Sequence, residues 1–139
     1  MNAAIPAGLI GSWKLISVHY TLSDTGETID EPLAGTCSFD ANGRWTLIVI
    51  PRDADPPTNE TERAALFGRI IAFSGRCRFD GERLETRPDV ASNPAFKEIT
   101  FVRSVTVDGD RLTMVQPEWE HPLFSGRKTV ATAVWDRDG

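Results

Sequence analysis

Apolar and polar residues alternate along most of this chain, which is the pattern of half-buried β-strands. The alternating segments are short, and turn residues such as Asn-Gly and Asp-Gly separate them. The pattern predicts eight strands, over residues 12–22, 34–39, 45–50, 70–79, 83–87, 99–107, 111–116 and 130–135. Because short consecutive strands joined by tight turns favour antiparallel neighbours, we expect an all-β fold, an up-and-down barrel or a sandwich.

One segment lacks this alternation and predicts a helix instead. Asn59 suits the N-cap position, and Glu62 three residues later completes a capping-box pattern. We therefore predict one short helix around residues 59–70, covering one end of the barrel. Residues 51–60 contain three prolines and are predicted to form a loop. No repeat or linker divides the chain, so we expect a single domain over residues 1–139.

Composition narrows the function classes. The 139 residues are 40% apolar and 25% charged, as in ordinary globular proteins, with a net charge of -5. A nucleic-acid surface needs clustered lysine and arginine, and no such cluster is visible, so we expect no nucleic-acid partner. No apolar run has the length of a membrane span. The first residues lack the pattern of a secretion signal, and we expect a cytoplasmic protein without a membrane partner.

The chain contains two cysteines and two histidines, all well separated. Cys37 and Cys77 are expected to be buried and unpaired, although a bridge between them is an alternative. The spacing of these residues does not fit a zinc site, so we expect no metal. The sequence also lacks a phosphate-binding glycine loop and a dinucleotide fingerprint, so we expect no cofactor.

The first strand carries a histidine whose face determines its role. In regular alternation Trp13 and His19 lie on the same face, which we predict to be the lumen. His19 would then lie near the open mouth, where a neutral imidazole could transfer protons to a ligand. The alternative is a hydrogen-bonded histidine in the wall without a chemical role.

The opposite face of the same strand is unusually apolar for an outer wall. It carries Ile16, Val18 and Tyr20. A helix or a second copy of the chain could cover these residues, so a homodimer is one expected solution.

Taken in order, the motifs resemble the bacterial lipocalin-like domain family. The motifs are GSWKLIS, GTCSFDANGRWTLIV, IIAFSGRCRFDGERL, FVRSVTVDGDRLTM and VATAVWDR. The resemblance implies a small antiparallel barrel of about eight strands that encloses an apolar cavity. It implies no particular chemistry, since related barrels include carriers and cofactor-independent enzymes. Members often have a histidine pair in the strand matching 83–90, and this chain lacks it, so no function of that pair is carried over.

Arg103 lies on the apolar face of strand 99–107, so it is predicted to point inward. A buried guanidinium is costly unless acceptors surround it. Arg103 matches the arginine of the family pattern, which implies a structural role, closing one end of the barrel by stacking on Trp13. The alternative is an anchor for a carboxylate, phenolate or carbonyl oxygen of a ligand. We favour the structural role, with Glu85 and Asp89 as candidate partners or as catalytic carboxylates.

The connection before the last strand is rich in aromatic and titratable residues. Trp119 and Phe124 could cap a cavity, and His121 with Glu118 or Glu120 could supply an acid–base pair. A solvated loop whose tryptophan packs on the rim explains the composition equally well.

Together these features predict a cavity that binds a small apolar or aromatic molecule. The predicted ligand-binding residues are Trp13, Tyr20, Trp45, Phe73, Glu85, Phe101, Met114, Trp119 and Phe124. We favour a cofactor-free lyase, isomerase or cyclase in which Arg103 or Tyr20 holds an oxygen while His19 or His121 moves a proton. The alternatives are a noncatalytic carrier or sensor, and a structural domain with a filled barrel.

Overall fold

The chain forms an antiparallel β-barrel with one short helix. The computed structural model describes residues 5–97, 99–120 and 126–139, and only the backbone of residue 120. The strands are β1 (Gly11–Leu22), β2 (Thr28–Glu31), β3 (Leu33–Phe39), β4 (Arg44–Pro51), β5 (Ile71–Phe79), β6 (Arg83–Ala91), β7 (Phe101–Asp108), β8 (Arg111–Glu120) and β9 (Lys128–Arg137). The helix α1 spans Glu60–Arg69, and a 3-10 turn spans Pro94–Phe96.

Pairing between β1 and β9 closes the sheet into a barrel. From β3 to β9 each strand pairs with its neighbour in the chain. Strands β2 and β3 pair with successive parts of β1 and are separated by Pro32 alone, so they form one bent strand of the wall. The structure is therefore an eight-stranded barrel, which confirms the predicted fold class.

A β-bulge in β1 changes which residues face the lumen. On the β9 edge Leu15 pairs with Trp135 but Ser17 pairs with Val134, so Ile16 is an extra residue. Alternation restarts after the bulge, and the inward, buried positions become Trp13, Leu15, Tyr20 and Leu22. The prediction that His19 shares the lumen face of Trp13 is therefore wrong.

The same bulge reverses the prediction for the outer face of β1. Ile16 is exposed as expected, whereas Val18 and Tyr20 turn into the barrel. The apolar outer face that suggested a homodimer thus loses two of its three residues.

The barrel has a closed end, where the turns after β3, β5 and β7 lie, and an open end, where the longer connections lie. Trp13 fills the closed end and has no exposed surface. Its indole N–H donates to the Leu9 carbonyl at 3.0 Å. The Arg137 guanidinium lies 4.2 Å from the Trp13 ring centroid and donates to the carbonyls of Ile10, at 3.1 Å, and Gly8, at 2.6 Å. Arg137 therefore holds the segment before β1 against the end of β9.

The prediction that Arg103 stacks on Trp13 is wrong. Trp13 pairs directly with Arg137 across the β1–β9 ladder, so the arginine of the last strand is the one within reach. Arg103 instead lies over the rings of Trp45 and Phe101.

The predicted helix is confirmed, with its capping pattern. The Asn59 side chain accepts a hydrogen bond from the Glu62 backbone N–H at 2.9 Å, and the Glu62 side chain accepts from the Thr58 backbone N–H at 2.9 Å. The connection that contains α1 joins β4 to β5 at the open end, but no residue of α1 is buried. No helix within the described ranges combines the length and apolarity needed to cross a membrane.

Strand β6 runs past Pro88, further than predicted. The β5 partner changes from Ser74 opposite Val90 to Gly75 opposite Pro88, so Asp89 is an extra residue in a bulge, where proline is tolerated. A side chain at Gly75 would lie 2.1 Å from the Arg87 carbonyl oxygen. This position therefore requires glycine.

Cys37 and Cys77 are both buried and free, which confirms the prediction of unpaired cysteines. Burial raises the pKa of Cys37 to about 12 and that of Cys77 to about 11, so both thiols are neutral near pH 7.

Replacing Arg137 tests the closure of the barrel. Arg137→Leu removes the stacking on Trp13 and two hydrogen bonds to carbonyls, so we expect a loss of about 1.5–3 kcal/mol in the free energy of unfolding. Urea unfolding followed by circular dichroism measures this loss. Arg111→Leu is the matched control, since Arg111 is in an exposed ion pair with Asp136 at the same end and should cost below about 1 kcal/mol. Equal losses in the two variants would contradict the assigned role.

Candidate functional site

A cavity of about 140 Å³ occupies the half of the barrel toward the open end. As far as the structure describes it, the wall is mostly aliphatic and aromatic, with one charged residue and a few other polar groups. The lining residues are Val18, Tyr20, Leu33, Trp45, Leu47, Val49, Ile71, Arg103, Met114, Gln116, Trp119, Ala131, Ala133 and Trp135. This is the mixture typical of a small-molecule site.

Residue size along the strands explains why the space is on this side. Large buried side chains fill the closed end, among them Trp13, Phe39, Leu84 and Leu112. Toward the open end, β9 lines the cavity with the small side chains of Ala133 and Ala131. Small side chains on a curved wall leave a gap that the opposite strands do not fill.

Arg103 is the charged residue of the wall. It projects from β7 into the barrel and donates to the Thr86 hydroxyl at 3.1 Å. Its guanidinium carbon lies 5.1 Å from the centroid of Trp45 and 5.3 Å from that of Phe101, within cation–π range. The prediction that Arg103 faces inward is correct.

Burial lowers the pKa of Arg103 to about 10. The group therefore remains positively charged near pH 7. Because the folded protein holds this proton less tightly than the unfolded chain does, the charged form costs stability at neutral pH. That cost is relieved only as the pH rises above about 10.

The carboxylates predicted to pair with Arg103 have other partners. In β6 the inward positions are Leu84, Thr86 and Pro88, so Glu85 faces outward, where it pairs with Arg78. Asp89 accepts two hydrogen bonds from Arg44, at 3.0 and 2.8 Å, and this contact lowers its pKa. The prediction that Glu85 lines the cavity is therefore wrong, as is the pairing of either carboxylate with Arg103.

Tyr20 is a second titratable residue that lines the cavity. Burial first, and the negative charge of Glu31 second, raise the pKa of Tyr20 to about 12. Near pH 7 the group is a neutral phenol that can donate a hydrogen bond.

The structure brings together five of the predicted site residues. Tyr20, Trp45, Arg103, Met114 and Trp119 all line the cavity. Sequence alternation identified Arg103 correctly, whereas Tyr20 reaches the wall only because of the bulge in β1.

The other predicted residues that the structure describes lie elsewhere. Trp13 is at the closed end, and Phe73 and Phe101 form an aromatic row beside Trp45, with centroid distances of 5.6 Å for Trp45–Phe73 and 5.9 Å for Phe73–Phe101. His19 is on the outer face of β1. His121 and Phe124 lie outside the described residues.

Gln116 and the two alanines of β9 are lining residues that the sequence analysis missed. A signal for Gln116 was present, since Leu112, Met114 and Gln116 alternate on one face of β8 and the first two are buried. The bulge concealed Val18. Within the described part of the chain, no three His, Cys, Asp or Glu side chains come together as a metal site.

Comparison with known proteins gives one match over most of the chain. The model of the lipocalin-like domain family matches residues 10–138. A second match is local: the electron transfer flavoprotein subunit beta of Clostridium acetobutylicum is 36% identical over 50 residues, which are 36% of this chain and 19% of that protein. Since the chain spans about a fifth of that relative, the local match supports no conclusion about fold or function.

Replacing Arg103 distinguishes a structural arginine from a ligand anchor. Arg103→Met removes a half-buried charge that no described carboxylate balances, at the expense of one hydrogen bond and the ring contacts. We therefore expect the free energy of unfolding to rise or to stay within about 1 kcal/mol. Urea unfolding at pH 7 measures this difference. A loss above about 2 kcal/mol would instead assign Arg103 to the stability of the barrel.

Proposed function

The chain belongs to the lipocalin-like domain family, and we propose that its barrel binds one small, largely apolar molecule in the cavity at the open end. The observation that carries this proposal is the cavity itself, about 140 Å³ of space with walls of Trp45, Trp119 and Trp135. Engineered apolar cavities of about 150 Å³ accept benzene, so the enclosed part of the ligand is the size of a single ring or a short chain.

Cavity filling is the direct test of this proposal. Ala133→Leu places a larger side chain in the cavity, and Thr132→Leu is the matched control because Thr132 is on the outer face of the same strand. We expect small phenols and monoterpenoids to raise the melting temperature of the wild type and of Thr132→Leu, because a ligand that binds the native state stabilises it. Ala133→Leu should lose this response. Three tryptophans in the wall also provide a fluorescence signal for titration.

Two results would contradict the proposal. One is the absence of any thermal or fluorescence response to the panel in the wild type. The other is an equal response in Ala133→Leu and Thr132→Leu, which would place binding outside the barrel cavity.

Cofactor-free lyase, isomerase or cyclase chemistry is a second, more specific proposal. Arg103 and Tyr20 on the cavity wall could hold a ligand oxygen, which supports it, but the outward orientation of His19 leaves His121 as the remaining histidine candidate for proton transfer.

Substituting the two histidines separates the catalytic from the noncatalytic proposal. With a compound that both binds and is converted, His121→Ala should lower kcat by about 10²–10⁴-fold, the usual contribution of a general acid or base. His19→Ala should leave kcat unchanged, because the side chain of His19 is on the outer face of β1 and not in the cavity. Binding without turnover in the wild type, or unchanged turnover in His121→Ala, would leave the noncatalytic proposal.

A further inference from the structure

The charge of Arg103 is not balanced by a carboxylate in the part of the chain that the structure describes. Its hydrogen-bond partner is the neutral hydroxyl of Thr86, and its other close groups are two aromatic rings. Several more exposed arginines, in contrast, form ion pairs with carboxylates, among them Arg44 with Asp89 and Arg127 with Asp24. Arg103 is half-buried in the cavity wall, and a charge that is partly removed from water needs a partner more than an exposed charge does.

In the described ranges, the titratable groups near Arg103 do not supply a negative charge at neutral pH. Among the described groups, Cys37 is close enough for its thiolate to interact with Arg103, but burial keeps the pKa of Cys37 near 12, so the thiol is neutral near pH 7. Tyr20 on the same cavity wall has a pKa of about 12 and is also neutral. Glu31 contributes to the raised pKa of Tyr20 and not to the shifted pKa of Arg103. Among the lining residues that the structure describes, Arg103 is therefore the one that carries a charge near pH 7.

A guanidinium provides several N–H donors in one plane, which match the two oxygens of a carboxylate. The contact to Thr86 uses Nη1, so other donors remain for a ligand in the cavity that Arg103 lines. The surrounding wall is aromatic and aliphatic, and its volume limits the apolar part of the ligand to about one ring.

We propose that the cavity takes a small monocarboxylate with a single aromatic ring, whose carboxylate pairs with Arg103 and whose ring lies among Trp45, Trp119 and Trp135. The inference rests on the proposed function, since it names the chemical class of the ligand for the same cavity. The net charge of -5 does not prevent an anionic ligand from binding, because the ligand's carboxylate would contact Arg103 directly. At physiological ionic strength charges more than about 8 Å apart are largely screened, whereas a contact ion pair inside the barrel is not.

The experiment compares benzoate with benzyl alcohol, which has a similar size and no charge. Both are titrated into the full chain at pH 7 and constant ionic strength, with tryptophan fluorescence and calorimetry as readouts. We expect benzoate to bind the wild type at least about tenfold more tightly, the effect of one charge-assisted interaction. In Arg103→Met this preference should disappear while the affinity for benzyl alcohol changes by less than about threefold. Arg83→Met, at an exposed position of β6, is the control and should retain the preference.

The outcomes separate this inference from the proposed function. If benzyl alcohol binds and benzoate binds no better, the cavity accepts small molecules but the monocarboxylate assignment is wrong. If Arg103→Met retains the preference for benzoate, the anion binds elsewhere and the assignment is again wrong. If neither compound nor any member of the neutral panel binds the wild type, both proposals fail. If Arg103→Met does not fold, the affinities of the wild type for benzoate and benzyl alcohol still test whether the cavity prefers a carboxylate.

Discussion

The pairing of β1 with β9 is the constraint on which the rest of the structure depends. It removes the two free edges that a sheet of this length would otherwise expose. It also fixes which side chains meet, because it places Trp13 opposite Arg137 and gives the closed end its stacked pair. The bulge at Ile16 lies in the same ladder. Strand β1 therefore determines both how the barrel closes and which of its own residues face the lumen.

That strand divides the barrel into two parts with different tasks. Before the bulge, Trp13 and Leu15 belong to a packed core that large side chains fill. After the bulge, Val18 and Tyr20 face open space. The dense half stabilises the barrel through its buried apolar area. The other half contains a cavity and a partly buried charge, both of which lower the stability of the barrel. A barrel with the dense core at both ends would have no room for a ligand.

The sequence predicted the architecture well because period-two alternation and turn residues are local signals. The capping pattern at Asn59 located the helix for the same reason. The prediction of which β1 residues face the lumen is wrong beyond Ile16. A bulge depends on strand twist and pairing, and it leaves no mark in the residue pattern. The arginine that stacks on Trp13 could not be predicted from local sequence either, because both Arg103 and Arg137 are arginines that could lie near an aromatic ring. Only the pairing of the first strand with the last distinguishes them.

The candidate site was predictable in part. Arg103 and Met114 were found by alternation within regular strands, whereas Glu85 was misassigned because its strand contains Pro88 and its facing could not be read from the pattern. The cavity itself follows from the alanines of β9, whose small size matters only once the opposite wall is known.

The arrangement of β1 and β9 also determines how the barrel responds to mechanical force. The first residue of β1 and the last of β9 lie at the closed end, on neighbouring antiparallel strands. A force that separates residues 11 and 137 would therefore load the hydrogen bonds of this ladder one after another, as in unzipping, and not all at once, as in shear. The contacts of Arg137 with Trp13 and the preceding carbonyls would bear the first load. The end of the barrel that is best packed at equilibrium is thus the end where rupture under tension begins.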